Sequence, residues 1–452
     1  MERLKLTDIA KYCGASTRLD GTVGRISIDS REVDNDTLFI AIIGERFDGN
    51  DFVPDVLEKR VKAVICSRAD IKDERVITVT DTTQAFLDIA HGYRMTYKIP
   101  FVAVTGSVGK TTSKGMVWSV INKQCRAYRT QGNLNNNIGV SKTLLALERD
   151  YEAAVIEMGM DHAGEITALS LAAEPDIAVI TNVGTAHIEN LGSREGILKA
   201  KCEITAGLKK GAPLVINADN DMLATLKEGD FKLVKFGIDA KNCYMTAENI
   251  VSDVAGSKFT AVCESGERAE VFVPAVGIHQ VYNALCALTV GKLLGYTLAD
   301  AAQGIADYVP EGMRQNVKSV NGMTFIEDCY NANPDSMDAA LHTLAAIKKT
   351  RAVAVLSDML ALGEISESAH RKVGETAAKL GCDAVFSFGE YGRFIADEAE
   401  KNGCQARWYE NKEQLTADLG KYLEKDDTVL FKGSRGMKTE EVFLSLYKEW
   451  EV

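Results

Sequence analysis

Apolar positions along the chain follow two rhythms. Near the middle, FVAVTG (101–106), AAVIEMG (153–159), DIAVITNVG (176–184) and APLVINADN (212–220) are almost unbroken apolar runs. Runs without polar alternation mark strands covered on both faces, and therefore a mostly parallel sheet. Helical spacing fills the intervals, starting with DTTQAFLDIAHGYRMTY at 81–97. Between about residues 232 and 275 the runs shorten and alternate, as in KFTAVCES and AEVFVPAV, which predicts an antiparallel patch. Before residue 80, RISIDS, TLFIAII and KAVICS read as short strands, with a helix at DFVPDVLEKR. After EGMRQNVKSV the strand–helix alternation resumes with RAVAVLSDM, DAVFSFG and DTVLFKGS.

This punctuation predicts three α/β domains at residues 1–80, 81–311 and 312–452. The first is small, the second is built on a parallel sheet behind a phosphate loop, and the third is Rossmann-like. A length of 452 residues suits about three domains. The formal net charge of -12 weighs against a nucleic-acid partner, because a phosphate backbone demands a basic face. It leaves room for small anionic ligands in a locally positive pocket. The ten cysteines form no C-x-x-C pair and read as reduced, mostly buried thiols. No run resembles a signal peptide or a membrane span, so a cytoplasmic protein without membrane insertion is expected.

The chemistry starts at VTGSVGKTTSK, residues 104–114. A Walker loop carries a leading glycine five residues before its Gly-Lys, and that place is Val104 here. Strand, glycine turn and helix are nonetheless in the required order. Gly106, Ser107, Val108 and Gly109 form the turn, and Lys110 supplies a point charge for β- and γ-phosphates. Thr111 and Thr112 follow, and a hydroxyl at Thr111 suits Mg²⁺. Glu157 closes the strand AAVIE, where a carboxylate is placed for a metal. His187 follows a third strand end and reads either as a metal-site residue or as an ordinary satisfied histidine. Lys199 and Lys201, on the helical stretch GILKAKCEI, read from the residues alone as solvated lysines.

These stretches resemble the ATP-dependent Mur ligases of peptidoglycan synthesis. The resemblance runs through TGSVGKTTSK, GNLNNNIGVSKTLL, EMGMDHAGEI, TNVGTAHIENLGSREGILKAKCEI, HQVYNALCAL, GMRQ, EDCYNANPDSM, LSDMLALGE and FKGSRGMKTEEV, in family order. The family's loop is Thr-Gly-x-x-Gly-Lys-Thr, so Val104 is expected. The resemblance implies a ligase, acting as a monomer, that joins D-Ala-D-Ala to UDP-MurNAc-tripeptide through an acyl phosphate. That is the last cytoplasmic step in assembling the precursor peptide. The alternative within the family is a sister ligase adding a single amino acid. Its members carry Asp-Asn-Pro-Arg, whereas NANPDSM has no Asn-Pro-Arg.

The resemblance also implies site roles. ATP and two Mg²⁺ ions are the cofactors, with Lys110 and Thr111 at phosphate and first metal. Glu157 is then a metal carboxylate, His187 a ligand of the second ion, and Lys201 a lysine carbamylated by CO₂. Asn283 matches an adenine contact, and Arg314 an arginine that reaches the nucleotide phosphates. Asp328 and Tyr330 match the ribose and adenine segment. Asn136 and Asn137 fall in the loop against the γ-phosphate and acyl-acceptor site, and Asn331 and Asn333 in the substrate-facing NANPDS stretch. Ser30 and Arg31 are the expected UDP-sugar contacts. Ser141 and Ser357 depart from the family pattern, which has proline and glycine there.

Overall fold

A computed structural model describes residues 1–450. A short antiparallel ribbon, β1 (Leu4–Lys5) with β2 (Thr22–Val23), precedes a four-stranded sheet. That sheet holds β3 (Arg25–Ser27), β4 (Thr37–Ile40), β5 (Ala63–Cys66) and β6 (Val76–Thr78), parallel and in sequence order. The central sheet is assembled from β7 (Phe101–Thr105), β8 (Ala127–Arg129), β9 (Ala153–Glu157), β10 (Ile177–Ile180), β11 (Pro213–Asn217), β12 (Lys232–Gly237), β13 (Met245–Asp253), β14 (Gly256–Cys263) and β15 (Arg268–Val273). Its order is β15-β14-β13-β12-β11-β10-β7-β9-β8. Every residue of β7 and β9 is buried, as unbroken apolar runs require. The antiparallel patch is narrower than its sequence rhythm indicates. β12 runs parallel to β13, and only β13, β14 and β15 alternate in direction.

The last sheet contains β16 (Asn316–Val320), β17 (Met323–Asp328), β18 (Ala352–Ser357), β19 (Ala384–Phe388), β20 (Gln405–Tyr409) and β21 (Thr428–Lys432), ordered β16-β17-β21-β18-β19-β20. β16 and β17 form an antiparallel hairpin, and the other pairs are parallel. β18, β19 and β20 advance in one direction, and β21 returns to the other side of β18. Strand order therefore reverses between β18 and β21, the place where open sheets leave a crevice at the strands' carboxyl ends. Met337, Leu341, Leu344, Val373 and Ile395 cover one face, and Leu415, Leu419, Phe443 and Leu446 cover the other.

The chain packs as two compact units. The first comprises Met1–Val104, Cys125–Ala178 and Glu203–Pro213. Within it, helix Thr82–Arg94 is the fastener. Tyr93 donates its hydroxyl to the Leu147 carbonyl at 2.6 Å. Arg94 is buried, donates to the carbonyls of Ala173 and Glu174, and lies 3.8 Å over the Phe101 ring. The second unit comprises Thr105–Gln124, Val179–Cys202 and Leu214–Val452. Within it, helix Lys110–Asn122 packs on helices Ile278–Leu293 and Leu298–Ala306. A Cβ on Gly304 would stand 2.5 Å from the Val120 Cα, so glycine is what allows that approach. Among the described residues no helix is long and apolar enough to cross a membrane.

Candidate active site

β7 runs into a turn at Gly106–Gly109, and helix Lys110–Asn122 starts directly after it. Gly109 is left-handed, φ 79°, and an added Cβ would sit 2.8 Å from Asn283 Oδ1. Glycine is therefore required there on two grounds. The turn is stitched to the end of β10. Asn182 Oδ1 accepts from the N–H groups of Ser107 (3.1 Å) and Val108 (2.9 Å). Thr181 donates its hydroxyl to the Val108 carbonyl, and the Gly184 N–H donates to Ser107 Oγ. The N–H groups of Ser107 and Val108 are thus used within the protein. An anion is left the N–H groups of the first helical turn, which have no intrahelical acceptors, and the positive end of the helix dipole.

Lys110 folds back over this turn, with Nζ donating to the carbonyls of Gly106 (2.7 Å) and Ser107 (3.3 Å). Thr111, in the first turn of the helix, is buried. Lys201 lies on helix Arg194–Cys202 and is 1% exposed, contrary to the solvated lysine that its residue type alone suggests. Burial, and then the charge of Lys110, hold the Lys201 amine well below the usual lysine range. His187 stands at the start of helix Ile188–Leu191 with φ 64°, a left-handed conformation that non-glycine residues seldom adopt.

Glu157 ends β9 with 1% exposure, and its Oε1 accepts from Asn135 Nδ2 at 2.9 Å. Its backbone N–H donates to Thr130 Oγ1. Among the predicted loop asparagines, Asn136 caps helix Asn137–Leu145 by accepting from the Gly139 N–H, and Asn137 is that helix's first residue. Asn135, Thr181 and Asn182 escaped the sequence reading. The available signal was position: Thr181 and Asn182 directly follow the end of β10, and Asn135 directly precedes the predicted Asn136 and Asn137.

A fit to Mg²⁺ follows from donor chemistry. Among the described residues no three His, Cys, Asp or Glu side chains converge as a preformed metal site. Mg²⁺ needs no such cage, since it takes one or two carboxylates and completes its shell with water and substrate phosphates. In the unit that carries the phosphate turn, the Thr111 hydroxyl and a buried, unpartnered Thr105 Oγ1 are oxygen donors of the right kind, and in the other unit the buried Glu157 carboxylate is one.

In the third domain Arg314 stacks on Tyr330, 3.9 Å from the ring centroid. Lys432 donates to Asp328 Oδ2 at 2.6 Å and to the Asn331 carbonyl at 3.0 Å. Asn333 caps helix Pro334–Ile347 in a reciprocal pair with Ser336. The neighbouring Asp335 accepts from the Thr185 N–H at 3.1 Å. Asn283 is buried, taking a hydrogen bond from Ser113 and giving one to Gln280. In the N-terminal region Ser30 offers its carbonyl to Lys59, and Arg31 is paired with Asp29 while 86% exposed. Asp29, held well below the usual carboxylate range by Arg31, fixes that loop. Ser141 donates to the Asn137 carbonyl, and Ser357 shares a hydrogen bond with Thr439, so each departure has a local partner.

The chain matches three protein-family descriptions: "Mur ligase family, catalytic domain" over residues 22–94, "Mur ligase middle domain" over 104–291 and "Mur ligase, glutamate ligase domain" over 313–435. It is 38% identical to the UDP-N-acetylmuramoyl-tripeptide–D-alanyl-D-alanine ligase of Bacillus subtilis (strain 168), covering 93% of this chain and 92% of that one. The ligase of the same name from Escherichia coli (strain K12) is 35% identical, covering 98% and 97%. Among solved structures, MurF from Acinetobacter baumannii superposes with a TM-score of 0.92 at 28% identity, covering 99% of each chain. MurF from Thermotoga maritima in complex with ADP gives 0.86 at 27% identity, covering 94% and 98%. Phosphate loop, strand-end carboxylate and buried lysine thus occur in a chain that aligns from end to end with these enzymes, and the chain belongs to the Mur ligase family.

Proposed function

We propose that this chain is an ATP-dependent ligase that joins D-Ala-D-Ala to UDP-MurNAc-tripeptide in the cytoplasm. The observation that carries the reading is the end-to-end match, 38% identity over 428 residues, to a ligase of that name. The site chemistry agrees with it. In NANPDS, Asn-Pro is followed by Asp335 rather than arginine, and Asp335 is engaged with Thr185. The absence of Asn-Pro-Arg argues against the single-amino-acid branch.

The reaction is a double displacement. A carboxylate oxygen of the tripeptide terminus bonds to the γ-phosphorus, and the bond from that phosphorus to the β,γ-bridging oxygen breaks, releasing ADP. The D-Ala-D-Ala amine then bonds to the acyl carbon, loses a proton, and the C–O bond to phosphate breaks. Two anions must approach in the first step, so the charge of Lys110 and the N–H groups of the helix start do the main work there. Asn182 and Thr181 hold that turn in shape beforehand, which lowers the reorganisation required.

Mg²⁺ would supply further charge neutralisation, held by Thr111 and Glu157, with a second ion at His187 and Lys201. A bare lysine beside Lys110 cannot serve a cation. Its neutral amine can attack CO₂, forming an N–C bond and releasing a proton, and the resulting carbamate is an oxygen ligand. Burial favours the neutral amine that this step needs. Asn283, Arg314, Asp328 and Tyr330 serve the nucleotide, Asn136, Asn137, Asn331 and Asn333 the peptide substrates, and Ser30 and Arg31 the UDP-sugar.

Lys110→Ala tests the reading. The variant should bind UDP-MurNAc-tripeptide yet form no ADP from it. ADP formation at the parental rate would remove Lys110 from the chemistry.

A further inference from the structure

The segment leading into the third domain is fastened to the phosphate-loop helix at two points, one on either side of Arg314. Lys114 has a fully buried side chain, and its ammonium pairs with Glu311 at 3.3 Å. Ser113, also fully buried, starts a chain of hydrogen bonds to the other side. Its hydroxyl donates to Asn283 Oδ1 at 2.9 Å, and Asn283 Nδ2 donates to Gln280 Oε1 at 3.1 Å. Gln280 Nε2 then donates to Gln315 Oε1 at 2.8 Å. His279 Nε2 meets the same oxygen at 2.7 Å, and because a carboxamide oxygen only accepts, that nitrogen carries the proton. Every donor points from the loop helix toward the hinge, the arrangement in which successive bonds polarise one another. Asn283 also lies against Gly109, so the chain begins in contact with the phosphate-binding turn itself.

Gln315 has a left-handed backbone, φ 52°, at a position where glycine would be the unstrained choice. A side-chain-bearing residue persists in that conformation when its surroundings over-determine it. Here the surroundings are two donors converging on one oxygen. The preceding residue, Arg314, lies over Tyr330 of the third domain. The direction in which Arg314 leaves the chain is therefore set by how Gln315 is held.

We propose that Gln315 is a positioning residue, its Oε1 clasped by Gln280 and His279, through which the phosphate-loop helix fixes Arg314 and the entry to the third domain. The proposal rests on the reading of Arg314 as a nucleotide-phosphate contact. It extends that reading by making the arginine's placement depend on a side chain whose Oε1 is held by protein donors.

Three variants of the full chain separate side chain from backbone. Gln315→Glu keeps an acceptor oxygen in place. Gln315→Ala removes it. Gln315→Gly removes it while leaving the left-handed backbone free of strain. Hydrogen exchange of the amides at 311–317 is followed with and without MgATP, a readout that needs no peptide substrate. The wild type and Gln315→Glu should show protection by nucleotide at both the loop and the hinge. Gln315→Ala and Gln315→Gly should keep loop protection and lose hinge protection by about fivefold or more, the lower range of site-to-site couplings. In turnover, kcat should fall in the same two variants, and the nucleotide Kd should rise by no more than it does in Arg314→Ala, since the loop's own contacts persist. A Gln315→Gly variant with wild-type hinge protection would show that the backbone alone matters and would overturn the proposal. So would a wild-type hinge that does not respond to nucleotide. Absence of peptide-dependent phosphate release in the wild type would instead overturn the ligase reading, leaving the exchange result to stand by itself.

Discussion

Lys432→Met probes the buried ion pair at the end of the third domain's sheet. Lys432 ends β21 opposite Asp328 at the end of β17, and the two are paired in the parallel register. The lysine side chain is 2% exposed and that of Asp328 12%. Methionine preserves the length and apolar stem and removes the charge. Asp328 then keeps a nearly buried carboxylate without its cation, and the Asn331 carbonyl loses a donor. Breaking a buried pair from one side costs about 3–5 kcal/mol, and the slight opening at Asp328 places this case near the lower end. The lost bond to the carbonyl adds ~1 kcal/mol. A total of about 4 kcal/mol is close to a thousandfold in the folding equilibrium of that region. The double variant Asp328→Asn/Lys432→Met leaves only neutral groups and should recover more than half of the loss, a coupling that a double-mutant cycle isolates. Three domains need not unfold together, so the assay is native-state hydrogen exchange at the amides of β17 and β21 across a urea series. A single variant that loses less than about 1 kcal/mol, or a double variant no more stable than the single, would refute the reasoning.

Other expectations follow from separate features. Gly109→Ala forces a left-handed alanine whose Cβ meets Asn283 Oδ1, so MgATP affinity should drop by tenfold or more, on the order of 1–2 kcal/mol, while the fold persists. Nucleotide titration at parental affinity would exclude that role for the turn. His370 is buried, accepts from the Met359 N–H on Nε2 and donates to Ser366 from Nδ1, and burial pushes its proton affinity below the ordinary histidine value. Its folded pKa lies below its unfolded one, so the unfolded chain binds more protons as pH falls below about 6.5. Third-domain stability should therefore decrease from pH 7 to pH 5, and His370→Gln should flatten that slope in urea unfolding series. An unchanged slope would assign the loss to other groups. Chelation of Mg²⁺ should stop ADP formation and re-addition restore it. ADP formation that continues in chelator would contradict the oxygen donors assigned to Thr111 and Glu157.

The sheets were legible where burial on both faces left an unmistakable trace. β7, β9, β18, β19 and β21 are fully buried, and their apolar runs mark them. β20 is an edge strand with Arg407 and Trp408 exposed, so its sequence carries no comparable run and it went unread. β8, three residues long at one edge of the central sheet, likewise carries no such run. The direction of β12 relative to β13 was not readable, because alternation reports one covered face and says nothing of strand sense.

At the site, the phosphate turn could be read from spacing, whereas Lys201 could not. Residue type favours a solvated lysine, and only tertiary packing buries this one beside Lys110. Asn135 and Asn182 act through geometry, one orienting Glu157 and the other shaping the loop, and no periodicity in the sequence marks an asparagine that does so. The Gln280–Gln315 contact joins residues that are distant in sequence, and no local pattern foreshadows it.

The most direct test of the central claim is phosphate release from ATP with UDP-MurNAc-tripeptide, measured with and without D-Ala-D-Ala. Release that requires both substrates is the expected result. Release supported by a different UDP-peptide with a single amino acid, or release indifferent to peptide, would contradict it.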